Sequence, residues 1–143
     1  MKDTNNAIYE ILVDDLTLVN LLGSNAPYQN PNGTASKANS IVPHDMAHRK
    51  LATPFITIQE GNENKLGGVY SQSFFIRCYN GIEKSYIEIN IILDRLRLLL
   101  DDSEMDLSDR RHVKTDFESR LPGLKEEGMN LKFKEERYRV TVL

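Results

Sequence analysis

The stretch TPFITIQEGNENKLGGVYSQSFFIRCYNG, residues 53–81, decides how the chain is built. In it Ile56 and Ile58 alternate with Thr57 and Gln59, and further on Phe74, Ile76 and Cys78 alternate with Phe75, Arg77 and Tyr79. A period of two puts successive side chains on opposite faces of an extended chain, so each run predicts a strand with one face turned to a core. The intervening GNENKLGG is polar and supplies Gly61, Asn62, Asn64, Gly67 and Gly68 for positive-φ positions. That composition predicts a long hairpin loop rather than a two-residue turn, with residues 61–68 projecting as a tip. A loop held by two buried strands is free to meet a partner, which makes Asn62, Glu63, Asn64, Lys65 and Leu66 candidate docking residues.

Downstream, IEKSYIEINIILDRLRLLL (residues 82–100) places Tyr86, Ile89, Ile92, Leu93, Leu96, Leu99 and Leu100 at helical spacing. A second ridge, Ile87, Ile91 and Leu98, widens the apolar face beyond what a helix needs for packing on one sheet. Either the helix is unusually buried within its subunit, or those three residues are candidates for a contact between subunits. Upstream, Ile8, Ile11, Leu12, Leu18, Val19 and Leu22 recur every three to four residues, with Gly23 as a C-cap. Asp14 and Asp15 interrupt that helix and are able to cap a second one, so a bend is expected there.

Residues 24–52 are rich in Asn, Pro, Ser, Gly and Ala, with only the short SIVP (residues 40–43) breaking the pattern. A connection that long reads as an arm that docks on a partner, or as an irregular excursion. After the long helix comes an acidic linker, DDSEMDLSD, then a third strand from Val113, Thr115 and Phe117. A fourth strand closes the chain with Tyr138, Val140 and Val142 on one face. Its first half, KFKEER, loses the alternation and predicts a bulge or an extension beyond the sheet, as a charged edge strand would have. With 143 residues, 40% hydrophobic and 27% charged, the chain has the size and composition of one domain around one core, residues 1–143. The expected class is α+β: a small antiparallel sheet of about four strands, two main helices packed on one face, and long polar loops.

Chemistry is sparse in the sequence. A formal charge of −3 and a pI near 5.6 argue against attraction of the whole surface to nucleic acid or anionic lipid. Cys78, the single cysteine, sits in an apolar strand and reads as a small buried hydrophobe. His44 and His48 have the i, i+4 spacing of a zinc pair but stand in a Pro-flanked loop without further ligands. Asp101, Asp102, Glu104, Asp106 and Asp109 lack the glycine and terminal glutamate of a calcium loop. KFKEERYR mixes cations with Phe133 and Tyr138, but Glu135 and Glu136 interrupt any stacking surface for nucleic acid. No nucleophile elbow and no phosphate-binding glycine loop occurs. The expectation is therefore no catalytic, cofactor or metal site. The opening MKDTNNAIYEIL has no apolar leader, and no apolar run approaches about 18 residues, so neither export nor membrane insertion is expected.

The order of IYEILVDDLTLVNLLG, IVPHDM, TPFITIQEG, FFIRCYNG, IEKSYIEINIILDRLRLLL and ERYRVTVL resembles the tail terminator, or tail completion, proteins of long-tailed bacteriophages over nearly the whole chain. The resemblance implies a non-catalytic virion protein at the junction of tail and neck, assembled in the host cytoplasm. It implies six copies in a ring that caps the tail tube, meets the head connector and lets DNA pass without specific binding. The alternatives are a head–tail connector or neck protein and, from another class, a small ligand-binding domain or enzyme using the His44 and His48 loop.

Overall fold

The computed structural model describes residues 4–23, 28–29, 35–36, 40–47, 51–107 and 111–143. Helix α1 spans Thr4–Asp14 and α2 spans Leu16–Leu21. The bend between them is where the sequence put it: Asp15 is extended, and its Oδ2 accepts the N–H of Leu18 at 3.0 Å. The second helix ends on an extended Leu22, so Gly23 lies beyond the cap. The long helix, α3, spans Ile87–Leu100 and starts later than the periodicity suggested, after a turn through residues 82–86.

The strands are β1 (Tyr28–Gln29), β2 (Ala35–Ser36), β3 (Ile41–Pro43), β4 (Phe55–Leu66), β5 (Val69–Gly81), β6 (Ser103–Asp106), β7 (His112–Arg120), β8 (Leu124–Glu126) and β9 (Leu131–Val142). Among the described residues the first two pair only with each other. The other seven form one sheet in the order β3-β4-β5-β9-β7-β6, with β8 continuing beside β9. All neighbours are antiparallel except β3 and β4, which run parallel. The expected small antiparallel sheet of about four strands under two helices is therefore wrong. The molecule is mostly sheet, a seven-stranded mixed sheet curled into a half-barrel, with few helices. The reading fell short because β3, β6 and β8 have only three or four residues. Strands that short show no period of their own and exist by pairing with a longer neighbour.

Both faces of the sheet carry apolar groups. On one, Phe74, Ile76, Cys78, Tyr138 and Val140 pack with Ile8, Leu12, Leu18, Ile89, Leu93 and Leu96 of the three helices. On the other, Phe55, Tyr79, Leu131 and Phe133 form a smaller cluster with Ala47, Leu51 and Met129 against it. Phe55 stacks on Tyr79 at 4.9 Å and Tyr79 meets Phe133 at 5.0 Å. Sandwiching at this end explains KFKEER. Lys132, Phe133, Glu135 and Glu136 are all buried, so no in–out alternation survives. The strand is neither bulged there nor at an edge: β9 pairs with β5 in unbroken register from Ser71↔Thr141 to Gly81↔Leu131. The irregularities fall in β4, between Glu60 and Glu63, and in β7, between Phe117 and Ser119.

Glu136 sits opposite Ile76 on the helix-facing side and is wholly buried. Arg120 Nη2 donates to its Oε1 at 2.9 Å, the Tyr138 hydroxyl donates to Oε2 at 3.2 Å, and Arg97 Nε of α3 lies 3.8 Å from Oε2. Arg120 also donates to Asp94 of α3 at 2.9 Å, Lys134 to Asn90 at 2.8 Å, and Asn80 to Glu88 at 3.0 Å. These contacts tie one side of α3 to the two central strands and β7. The partly exposed Arg97 guanidinium also lies 3.6 Å from the centre of the Phe117 ring. On the far side Glu135 accepts from Arg77 at 2.9 Å and Arg137 at 3.3 Å.

Burial holds the Glu136 carboxyl above its ordinary value of 4.5, against the opposing pull of Arg120. A carboxyl raised on folding contributes most below its unfolded pKa and loses that contribution as pH rises through the folded one. Arg120→Ala removes the closest counter-charge, so urea unfolding at neutral pH is expected to show a loss of about 3 kcal/mol. The gap to the native chain narrows as pH falls and the raised Glu136 carboxyl takes up a proton; a gap independent of pH contradicts the network.

At the far edge His112 bridges Asp106 (2.7 Å) and, more loosely, Glu104 (3.4 Å), clamping β6 to β7. The bond to Asp106 first, then Glu104, raises its pKa above 6.5. Its contribution is present below the unfolded pKa and is lost as pH rises through the folded one. The native melting temperature should therefore fall more between pH 6 and 8 than that of His112→Ala, and parallel curves would remove the clamp.

Candidate assembly interface

The buried stripe of α3, Ile89, Ile92, Leu93, Leu96 and Leu100, faces the sheet and the other helices, and Asn90, Asp94 and Arg97 border it with polar contacts to the sheet. On the remaining side Ile87 (66% exposed), Ile91 (49%) and Leu98 (77%) lie in the open. Ile87 and Ile91 are one turn apart and Ile91 and Leu98 two, so the three form a line along the helix.

A fourth residue joins them that the sequence did not flag. Leu16, 73% exposed, follows Asp15 at the start of α2. Asp15 takes a bidentate grip from Arg95, at 2.8 Å from Nε and 2.7 Å from Nη2. That grip fixes the first turn of α2, where Leu16 stands, against the stretch of α3 between Ile91 and Leu98. The Arg95 guanidinium holds the Asp15 carboxyl below its ordinary range. The signal was present: Leu16 is a leucine off the stripe that Leu12, Leu18 and Val19 define. Asp15 was read as a cap alone, without its tertiary partner.

The second candidate, Asn62, Glu63, Asn64, Lys65 and Leu66, is not a loop. These residues belong to β4 and pair with β5 through Glu63↔Gln72, Asn64↔Ser71, Lys65↔Tyr70 and Leu66↔Val69. The turn is Gly67–Gly68 alone, with φ of +61° and +86°. Two successive positive φ values are what a tight hairpin needs, and glycine adopts them without cost. Polar composition was read as loop, but a ladder needs only backbone pairing. Gly61 falls at the irregularity in β4, where a Cβ would lie 2.8 Å from the Phe75 ring. The hairpin end thus projects as a paired arm: β9 accompanies β5 only from Ser71, and β3 accompanies β4 only at Ile56–Ile58. At its end Val69 (49%) and Tyr70 (48%) are exposed, with Lys65 Nζ 5.0 Å from the centre of the Tyr70 ring.

The other candidates come apart. His44 begins a single 3-10 turn and lies 3.4 Å from the Thr57 hydroxyl, and burial lowers its pKa. His48 is outside the described residues, as are most of 24–39 and Asp109, so the docking-arm reading of 24–52 falls largely there. Among the described residues no three His, Cys, Asp or Glu side chains converge as metal ligands would. The acidic run is no solvated linker but β6 and its approach. Asp101 accepts the Phe117 N–H at 2.8 Å, and Asp102 meets Lys114 at 2.8 Å. Cys78 is fully buried, and burial pushes its thiol pKa up. An open pocket of about 500 Å³ at the second cluster is lined by Leu51, Thr53, Met129 and Leu131, with Glu83 its one ionisable side chain. No helix among the described residues is long and apolar enough to cross a membrane.

No family model matches the chain, and no curated protein matches it. Among solved structures, it is similar to a chain of the virion of a native gene transfer agent (GTA) particle. The TM-score is 0.69 at 15% sequence identity, over 99% of this chain and 95% of that one. At that identity the likeness is one of fold, and it extends from end to end.

Proposed function

We propose that the chain is a structural protein of a phage-like virion, and within it a ring-forming tail terminator that caps the tail tube and provides the joint to the head connector. The observation that carries this is the shared fold with a virion chain over 99% of the length. The exposed line Ile87, Ile91 and Leu98 supports self-association, since burying one such side chain is worth about 1.5–3 kcal/mol. The proposed partners are further copies of the chain in a six-membered ring, the tail tube protein and the connector. DNA passes through the ring without specific contacts, in keeping with the net charge of −3. The place of action is the tail–neck junction of the virion, after assembly in the host cytoplasm. A head–tail connector role is the second reading, supported by the same likeness of fold to a virion chain.

The test is the mass of the full chain in solution, negative-stain imaging, and sedimentation with tail tubes or with connector from the same particle. A six-fold ring that sediments with tail tubes is expected; sedimentation with connector alone shifts the assignment to the neck. Ile91→Asp places a carboxylate in the proposed contact and should give a folded monomer with a native melting temperature. An Ile91→Asp chain that assembles normally would remove the ridge from the interface.

A further inference from the structure

Among the described residues, the exposed large apolar side chains fall into two groups, apart from Leu21, Leu124 and Leu143. One is the helical patch of Leu16, Ile87, Ile91 and Leu98, and the other is the arm end, Val69 and Tyr70. Resting on the ring reading above, we propose that the arm end of one copy seats on the α2–α3 patch of the next. A patch that met its own image would form a two-fold pair and stop there. Two different patches on one chain, each fitting the other, give a head-to-tail contact that repeats, and closes into a ring where the rotation per copy allows it.

Charge and backbone pairing favour this occupant. The arm end carries Lys65 against Tyr70, whereas Glu88 and Asp94 are exposed on α3, each three residues from Ile91, Asp94 already paired with Arg120 and Glu88 accepting from the neutral Asn80. An ammonium arriving with the aromatic ring thus meets the Glu88 carboxylate beside the apolar line. Because the arm is paired up to Leu66↔Val69 and closed by two glycines, it is ordered before it docks and loses little freedom on doing so. Two apolar side chains bury far less than the roughly 1,000 Å² of a stable pair. The contact is accordingly weak between two copies and becomes firm through ring closure or a tail platform.

A weak contact is best trapped covalently. The only native cysteine, Cys78, is buried, so introduced cysteines report alone. Tyr70→Cys chains and Ile91→Cys chains, mixed under mild oxidation, should give a mixed disulfide dimer about tenfold above the background set by Leu143→Cys with Ile91→Cys. Neither single variant should link to itself above background, and the double variant should give a ladder ending in a closed species. Tyr70-to-Tyr70 or Ile91-to-Ile91 products in place of the mixed dimer would overturn the arm–patch contact, as would mixed dimer at background. A native six-fold ring alongside either result leaves the ring reading standing, so the two failures are separable.

Discussion

A carboxylate with no exposed surface, Glu136, sits in the middle of the longest ladder in the molecule, and the placement of α3 follows from it. An ion of that kind is costly unless it is paired and hydrogen-bonded. Here Arg120, Arg97 and Tyr138 converge on it from β7, α3 and β9 itself. Arg120 and Arg97 also make the link between sheet and helix, because Arg120 reaches Asp94 of α3. Apolar packing of Ile89, Leu93 and Leu96 is non-directional and would tolerate several rotations of α3. The charged contacts admit one.

That rotation decides which side of α3 is left over. With Asn90, Asp94 and Arg97 bound toward the sheet and Arg95 gripping Asp15 of α2, the line Ile87, Ile91 and Leu98 is left uncovered among the described residues. The curl of the sheet has a similar outcome at the other end, where β4 and β5 run beyond their neighbours and carry Val69 and Tyr70 outward. Function on this account lies in shape and exposed surface, as an assembly protein requires, and the polar interior serves to orient those surfaces.

The sequence made the helices and the long strands legible where burial is one-sided. Asp15 as the break between α1 and α2, the alternation through Phe74, Ile76 and Cys78, and the ridge of α3 were all readable from periodicity. It misled where burial is two-sided or absent. KFKEER reads as an exposed edge because it is charged, yet it is central, and each carboxylate there is matched by an arginine far away in sequence, Arg77 or Arg120. NENKL reads as a loop because it is polar, yet it is strand, since pairing across Gly67–Gly68 needs no buried face. Pairings between residues such as Asp15 and Arg95, 80 positions apart, leave no local trace, and Leu16 was missed with them.

Amide hydrogen exchange on the free chain tests the central claim most directly, because an edge strand opens locally and a central one opens only with the whole molecule. The account predicts that amides from Phe133 to Val140 exchange together, in the slowest class, at the rate of global unfolding. The arm end around Lys65 and Tyr70 exchanges orders of magnitude faster. Fast exchange through Lys134, Glu135 and Glu136, matching the arm, would mean that β9 is an edge in its first half and that the buried charges do not hold α3 in place.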